Sequence, residues 1–258
     1  MLKKRIIPKF LIRGGRLVKM RRFHDDQREA GNPVSTAKVY DSYGVDELLF
    51  VDIDATNEGR VVTGNVIERV AEEVFVPLTV GGGVTTLEQI ESLLKSGADK
   101  VSINTAAIEN PDFITQAASR FGDQCIVVSI DYQADEFGRK RVVGRGGTTP
   151  TTHDPVEFAQ RMQDLHAGEI LMSSIDHDGM MNGYDLELIA DLSNKLSIPL
   201  IASSGAGSLA DCKQALDAGA SAITISSMFI FTDPSPIKVR TYLATNGVFV
   251  RNQKGSRS

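Results

Sequence analysis

Tryptophan is absent from these 258 residues, and cysteine occurs only at Cys125 and Cys212. Cys125 opens an apolar run and Cys212 sits in a helical one, so both read as small buried hydrophobes. Such sparse cysteine suits a reduced, cytoplasmic setting rather than a disulfide-stapled scaffold. With no CxxC pair and only four scattered histidines, structural zinc has no ordinary ligand set, and no metal or cofactor is expected. Long apolar runs are lacking too: the longest are of strand length, too short to span a bilayer. The start, MLKKRII, lacks the apolar run and cleavage site of a signal peptide. Nor is there an excess of positive charge. The balance of 28 basic against 33 acidic residues gives no general attraction to nucleic acid or membrane.

What is present is an alternation of apolar strand-length runs with helical patterns. KRIIPKFLI (Lys4 to Ile12) opens the chain, with Pro8 unusual inside it, and a polar stretch without clear period, HDDQREAGNP, follows RLVKMRRF. Asn32-Pro33 is a helix start, cap then proline at the first turn, for a helix to about Tyr43. ELLFVDID (Glu47 to Asp54) is continuous and apolar, as strands buried on both faces of a parallel sheet are. Further strands are expected at Val76–Val80, Lys100–Ile103, Cys125–Ile130, Glu169–Ser174, Pro199–Ala202 and Ala222–Ser226, with helices between them. Eight strands alternating with helices, with glycine-rich and polar stretches after the strands, predict a single (βα)8 TIM barrel. An open doubly wound sheet is the other fold with such alternation.

An internal repeat favours the barrel. DELLFVDIDAT from Asp46 aligns with GEILMSSIDHD from Gly168, an offset of 122 residues. At the same offset GGGVTTLEQIESLLKSGADKVSIN from Gly81 falls on SSGAGSLADCKQALDAGASAITIS from Ser203. Half-barrels of about 1–122 and 123–250, with a flexible tail over 251–258, account for this. Glycines that follow a strand and precede a helix let backbone N–H groups meet an anion. Two phosphate sites are therefore expected on opposite sides of the mouth: Gly82, Gly83, Asn104 and Thr105 at one, Ser203, Gly205, Ser226 and Ser227 at the other, with Asp178-Gly179 beside the second. Turns and helix caps alone would also use such residues, but need no such symmetry. A phosphorylated small molecule with an anion at each end fits the pair.

KRIIP, DELLFVDI, TVGGGV, GADKVSINTAA, SIDHDG, GYD and IASSGAG carry a resemblance to the cyclase subunit of imidazole glycerol phosphate synthase, running from Arg5 to about Val250. The resemblance implies a barrel whose bottom face docks a glutaminase. Ammonia then passes up the barrel to PRFAR, which is cleaved and cyclised to imidazole glycerol phosphate and AICAR in histidine biosynthesis. It implies an ammonia gate of Arg5, Glu47, Lys100 and Glu169, each at a strand start, where two acids and two bases can satisfy one another. Asp99 matches a position facing the glutaminase, and Lys19 a loop lysine that contacts substrate, with Arg21 and Arg22 nearby.

The family's two catalytic aspartates end the first and fifth strands. Asp131 is the second of them; the first is replaced, because KRIIPKFLI set against QCIVVSID places Leu11 opposite Asp131. Leucine transfers no proton, and as an apolar neighbour it should raise the pKa of Asp131. Only Asp25 and Asp26, on the next loop, offer a nearby carboxylate. Ser204 and Met180-Met181 also depart from the family pattern. Three readings follow. A paralogue could pair with a glutaminase and a separate sugar amidotransferase to make acetamidino sugars for surface polysaccharide; similar paralogues share LIRGGRLVK. The chain could instead be a histidine-pathway cyclase, or a non-catalytic scaffold of a glutaminase. Loss of a positioned acid or base costs about 10²–10⁴ in rate, which favours the paralogue on sequence alone.

Overall fold

The apolar runs form eight parallel strands in the computed structural model, which describes residues 3–62 and 64–251. They are β1 (Arg5–Arg13), β2 (Leu48–Asp52), β3 (Leu78–Gly81), β4 (Lys100–Ile103), β5 (Ile126–Ala134), β6 (Glu169–Ser174), β7 (Leu200–Ser203) and β8 (Ala222–Ile225). Each pairs with the next in sequence, β8 pairs with β1, and β5 with β6, so the sheet closes and has no open barrel edge. Helices such as Pro33–Ser42, Leu87–Lys95, Leu186–Lys195 and Leu209–Asp217 separate them, giving the (βα)8 barrel. No helix among the described residues is long and apolar enough to cross a membrane. Most of the expected tail, 252–258, lies outside the described residues.

Side chains alternate between two cores because strand residues point to opposite faces in turn. Outward residues such as Phe10, Phe50, Ile103 and Ile223 pack under the helices. Inward residues stack in layers: a charged layer at the strand starts, then an apolar one of Ile7, Leu49, Val127, Leu171, Ile201 and Ala222. In the outer core Phe10 meets Tyr40 edge-on at 5.0 Å and Phe50 at 5.1 Å between centroids. Phe10→Ala is expected to lower stability by about 3–5 kcal/mol, read as a fall in the urea midpoint.

Three local features differ from the sequence expectations. The polar stretch after Gly15 is a hairpin, Arg16–Arg21 against Asp25–Gly31, extending from β1. Its second strand is almost wholly exposed, so no apolar alternation marks it. Cys125 lies in a turn of 3₁₀-helix before β5, which starts at Ile126 because Gly122 (φ 89°) ends the preceding helix. Short helices Thr105–Glu109 and Ser227–Phe231 follow β4 and β8, too brief to show a helical period. Both cysteines are free thiols.

Candidate functional site

At the bottom of the barrel, Arg5, Glu47, Lys100 and Glu169 close one ring. Arg5 bonds Glu47 at 2.8 Å and Glu169 at 2.9 Å, and Lys100 bonds the same two carboxylates at 2.9 Å each. Burial opposes the charge on Arg5, but Glu169 and Glu47 outweigh it and hold its pKa above the ordinary value. Thr79, not anticipated from sequence, donates to Glu47 Oε1 at 2.5 Å. The ring thus satisfies its buried charges internally and lies below the apolar layer. Asp99, exposed beside it, accepts the Leu78 N–H at 2.8 Å.

At the opposite end a cavity of about 150 Å³ is lined by Leu11, Gly82, Gly83, Asn104, Thr105 and Asp131, among others. The first expected anion loop and both proton-transfer positions therefore share one space. Asn104 donates to Asp131 at 3.2 Å and to the Ser129 carbonyl at 2.9 Å, and Thr105 accepts the Arg145 N–H at 3.0 Å. Asp131 is only 9% exposed, and burial pushes its carboxyl up to about 6. Asp178 adds to the rise while Lys9 and Ser173 oppose it, so the direction expected beside an apolar Leu11 is found.

A second, narrower cavity of about 20 Å³ is lined by Asp178, Gly179, Ser203, Gly205, Ser226 and Ser227, together with Lys9. The two loops share geometry at the 122-residue offset. Gly82 and Ser204 have φ of 121° and 77°, Gly83 and Gly205 of 69° and 104°. Asn104 and Ser226 both have ψ −83°, and Thr86 and Ser208 both head capping boxes. Glycine is required at the second of these positions in each loop. A Cβ on Gly83 would stand 1.8 Å from the Arg60 carbonyl oxygen, and one on Gly205 2.1 Å from that of Gly183. Ser204 accepts a conformation that favours glycine, and its hydroxyl donates to Asp178 at 3.1 Å.

Lys19 lies outside both cavities, in a cleft that also includes Gly179 and Ser227. It is buried, donates to the Lys9 carbonyl at 3.3 Å, and burial draws its pKa down to about 7, against the pull of Asp178. Asp26 is paired with Arg28 at 2.8 Å and Arg21 at 3.6 Å, and neither Asp25 nor Asp26 lines the Asp131 cavity. No carboxylate from that loop takes the place of the missing one.

Two buried groups at the mouth escaped the sequence reading. Lys9 points inward between Ile7 and Leu11, which only the two-residue period of β1 could have shown. Ser173, opposite Asp131 in the β5–β6 register, is fully buried. Its hydroxyl lies close enough to favour the carboxylate but in no hydrogen-bond geometry with any described residue.

A closed barrel with a charged ring at one end and a carboxylate between two glycine loops at the other is a (βα)8 barrel with its polar site at the carboxyl ends of the strands. Residues 5–234 match the family model described as histidine biosynthesis protein, and the chain belongs to that family. It is 49% identical over 247 residues to the imidazole glycerol phosphate synthase subunit HisF of Streptomyces coelicolor, covering 96% of this chain and 98% of that one. Similarity of that extent favours the histidine-pathway cyclase over the sugar paralogue that Leu11 suggested from sequence.

Proposed function

We propose that this chain is the ammonia-accepting cyclase subunit of an imidazole glycerol phosphate synthase, converting PRFAR and ammonia to imidazole glycerol phosphate and AICAR. The observation that carries this is one buried carboxylate, Asp131, between two anion loops of matched geometry. Each loop takes one terminal phosphate of the substrate. Asp131, with its pKa near 6, is mainly ionised at neutral pH and acts as the proton acceptor, oriented by Asn104. Ammonia enters through the ring of Arg5, Glu47, Lys100 and Glu169 from a glutaminase docked on the bottom face, with Asp99 at its edge. The setting is cytoplasmic.

Leu11 favours a second reading, in which the barrel passes ammonia to another acceptor and a separate amidotransferase installs an acetamidino group on a polysaccharide sugar. Incubating the purified protein with PRFAR and an ammonium salt distinguishes the two. Imidazole glycerol phosphate should accumulate, at a rate lowered by the missing aspartate. Intact PRFAR after prolonged incubation, with PRFAR binding retained, would replace the cyclase reading with the second.

A further inference from the structure

Lys9 is 7% exposed and borders both cavities. Among the described residues, no carboxylate oxygen comes within 4 Å of its ammonium, whereas Arg5, Arg13, Arg60 and Lys100 each have such a partner. Its one hydrogen bond is to Ser203 Oγ at 3.2 Å, itself joined to Thr224 Oγ1 at 2.9 Å. The Phe23 ring, 5.9 Å away, adds only a distant cation–π contact. Asp131 attracts this ammonium only from beyond ion-pair distance, so of its three donors one is taken, by a neutral hydroxyl. Ser173 Oγ, fully buried and unpartnered, faces the same lumen from β6. Both groups have hydrogen-bonding capacity that no described residue takes up.

The second cavity adds the charge balance around Lys9. Its lining contains hydroxyls, backbone and the Asp178 carboxylate, which by itself repels an anion. Lys9 is the only cation that lines it among the described residues. It is smaller than the neighbouring cavity, about 20 Å³ against about 150 Å³. Gly205 lines it where the loop backbone packs closely, since a Cβ there would stand 2.1 Å from the Gly183 carbonyl oxygen.

We propose that Lys9 is the charge partner of a terminal phosphate monoester seated in this second loop, and that it makes the site selective for such a group over the bridging diphosphate of a sugar nucleotide. A terminal monoester has one substituent and nearly two negative charges at neutral pH. It meets the hydroxyls and backbone of the loop with its charged end first and offsets both Lys9 and the repulsion from Asp178. A bridging phosphate has a substituent on each side and a single charge, so it presents no free charged end to the loop and compensates Lys9 less. The assignment rests on the reading of the two loops as phosphate sites and deepens it.

The test uses glycerol 3-phosphate and a uridine diphosphate N-acetyl sugar as probes, on the protein labelled with ¹³C at lysine Cε. The Lys9 resonance, identified by its loss in Lys9→Met, should shift on adding glycerol 3-phosphate and stay in place with the nucleotide sugar. Calorimetry should show Lys9→Met weakening glycerol 3-phosphate binding about 10–100-fold. Its circular dichroism should match the parent, so that the lost affinity reports a lost charge and not a lost fold. A Lys9 resonance unmoved at saturating glycerol 3-phosphate, an equal shift with the nucleotide sugar, or a Lys9→Met protein that binds as before would each overturn the assignment. Turnover of PRFAR alongside any of these results would leave the cyclase reading standing and remove only the role given to Lys9.

Discussion

Leu11→Asp is expected to raise ammonia-dependent turnover of PRFAR by about 10²–10⁴-fold, the usual worth of a positioned acid or base. The rest of the site is in place for the gain: Leu11 lines the same cavity as Asp131, Asn104 and the first glycine loop. A new carboxylate would ordinarily be costly beside a buried Asp131 whose pKa is already near 6. Lys9, on the same face of β1, has no carboxylate within 4 Å among the described residues and would offset that charge. The like-charge neighbour should also move the acid limb of the kcat/KM profile to higher pH. Steady-state rates at saturating ammonium, on protein with unchanged circular dichroism, measure the effect. A folded variant no faster than the parent would mean that the missing aspartate is not what limits this barrel.

Asp131→Asn is expected to do the opposite to activity and to strengthen the fold. Amide nitrogen cannot accept the proton, so turnover should fall by about 10²–10⁴-fold or more. For stability the sign follows from the raised pKa. Between the ordinary value of 3.8 and about 6, the folded protein holds a proton on Asp131 that the unfolded chain has released. Stability from this group is therefore complete below the ordinary value, falls as pH rises through that interval, and is level above about 6. The cost of ionised Asp131 at neutral pH is on the order of 3 kcal/mol, which asparagine avoids. Urea midpoints of the two proteins should diverge as pH rises from 4 to 6 and run parallel above it. A variant less stable than the parent at pH 7 would show that ionised Asp131 is a structural anchor, not a group held at a loss for function.

How much of this was legible beforehand depended on whether the signal was local or periodic. The eight strands announced themselves because strands buried on both faces are continuously apolar. The two anion loops were legible because one offset carried the same glycines and hydroxyls through strand, loop and helix. Leu11 was found by setting the first strand against the fifth, at an offset of 120, once the family resemblance had placed an aspartate at each strand end. The hairpin at Arg16–Arg21 and Asp25–Gly31 was not legible, because its exposed outer strand carries no hydrophobic pattern.

The sequence by itself determined the barrel, the family and the exchange of one proton-transfer residue for leucine, since each rests on residue type and spacing. Only the tertiary structure decided which charges have partners. It gave Arg5, Glu47, Lys100 and Glu169, which the resemblance had grouped, their actual pairing within one ring, and drew Asp26 away into pairs with Arg21 and Arg28. It turned Lys9, inconspicuous in an apolar strand, into a buried cation between two anion loops. The reason is physical: compensation of a charge depends on distance and burial, and the strands that supply the partners are far apart in the chain.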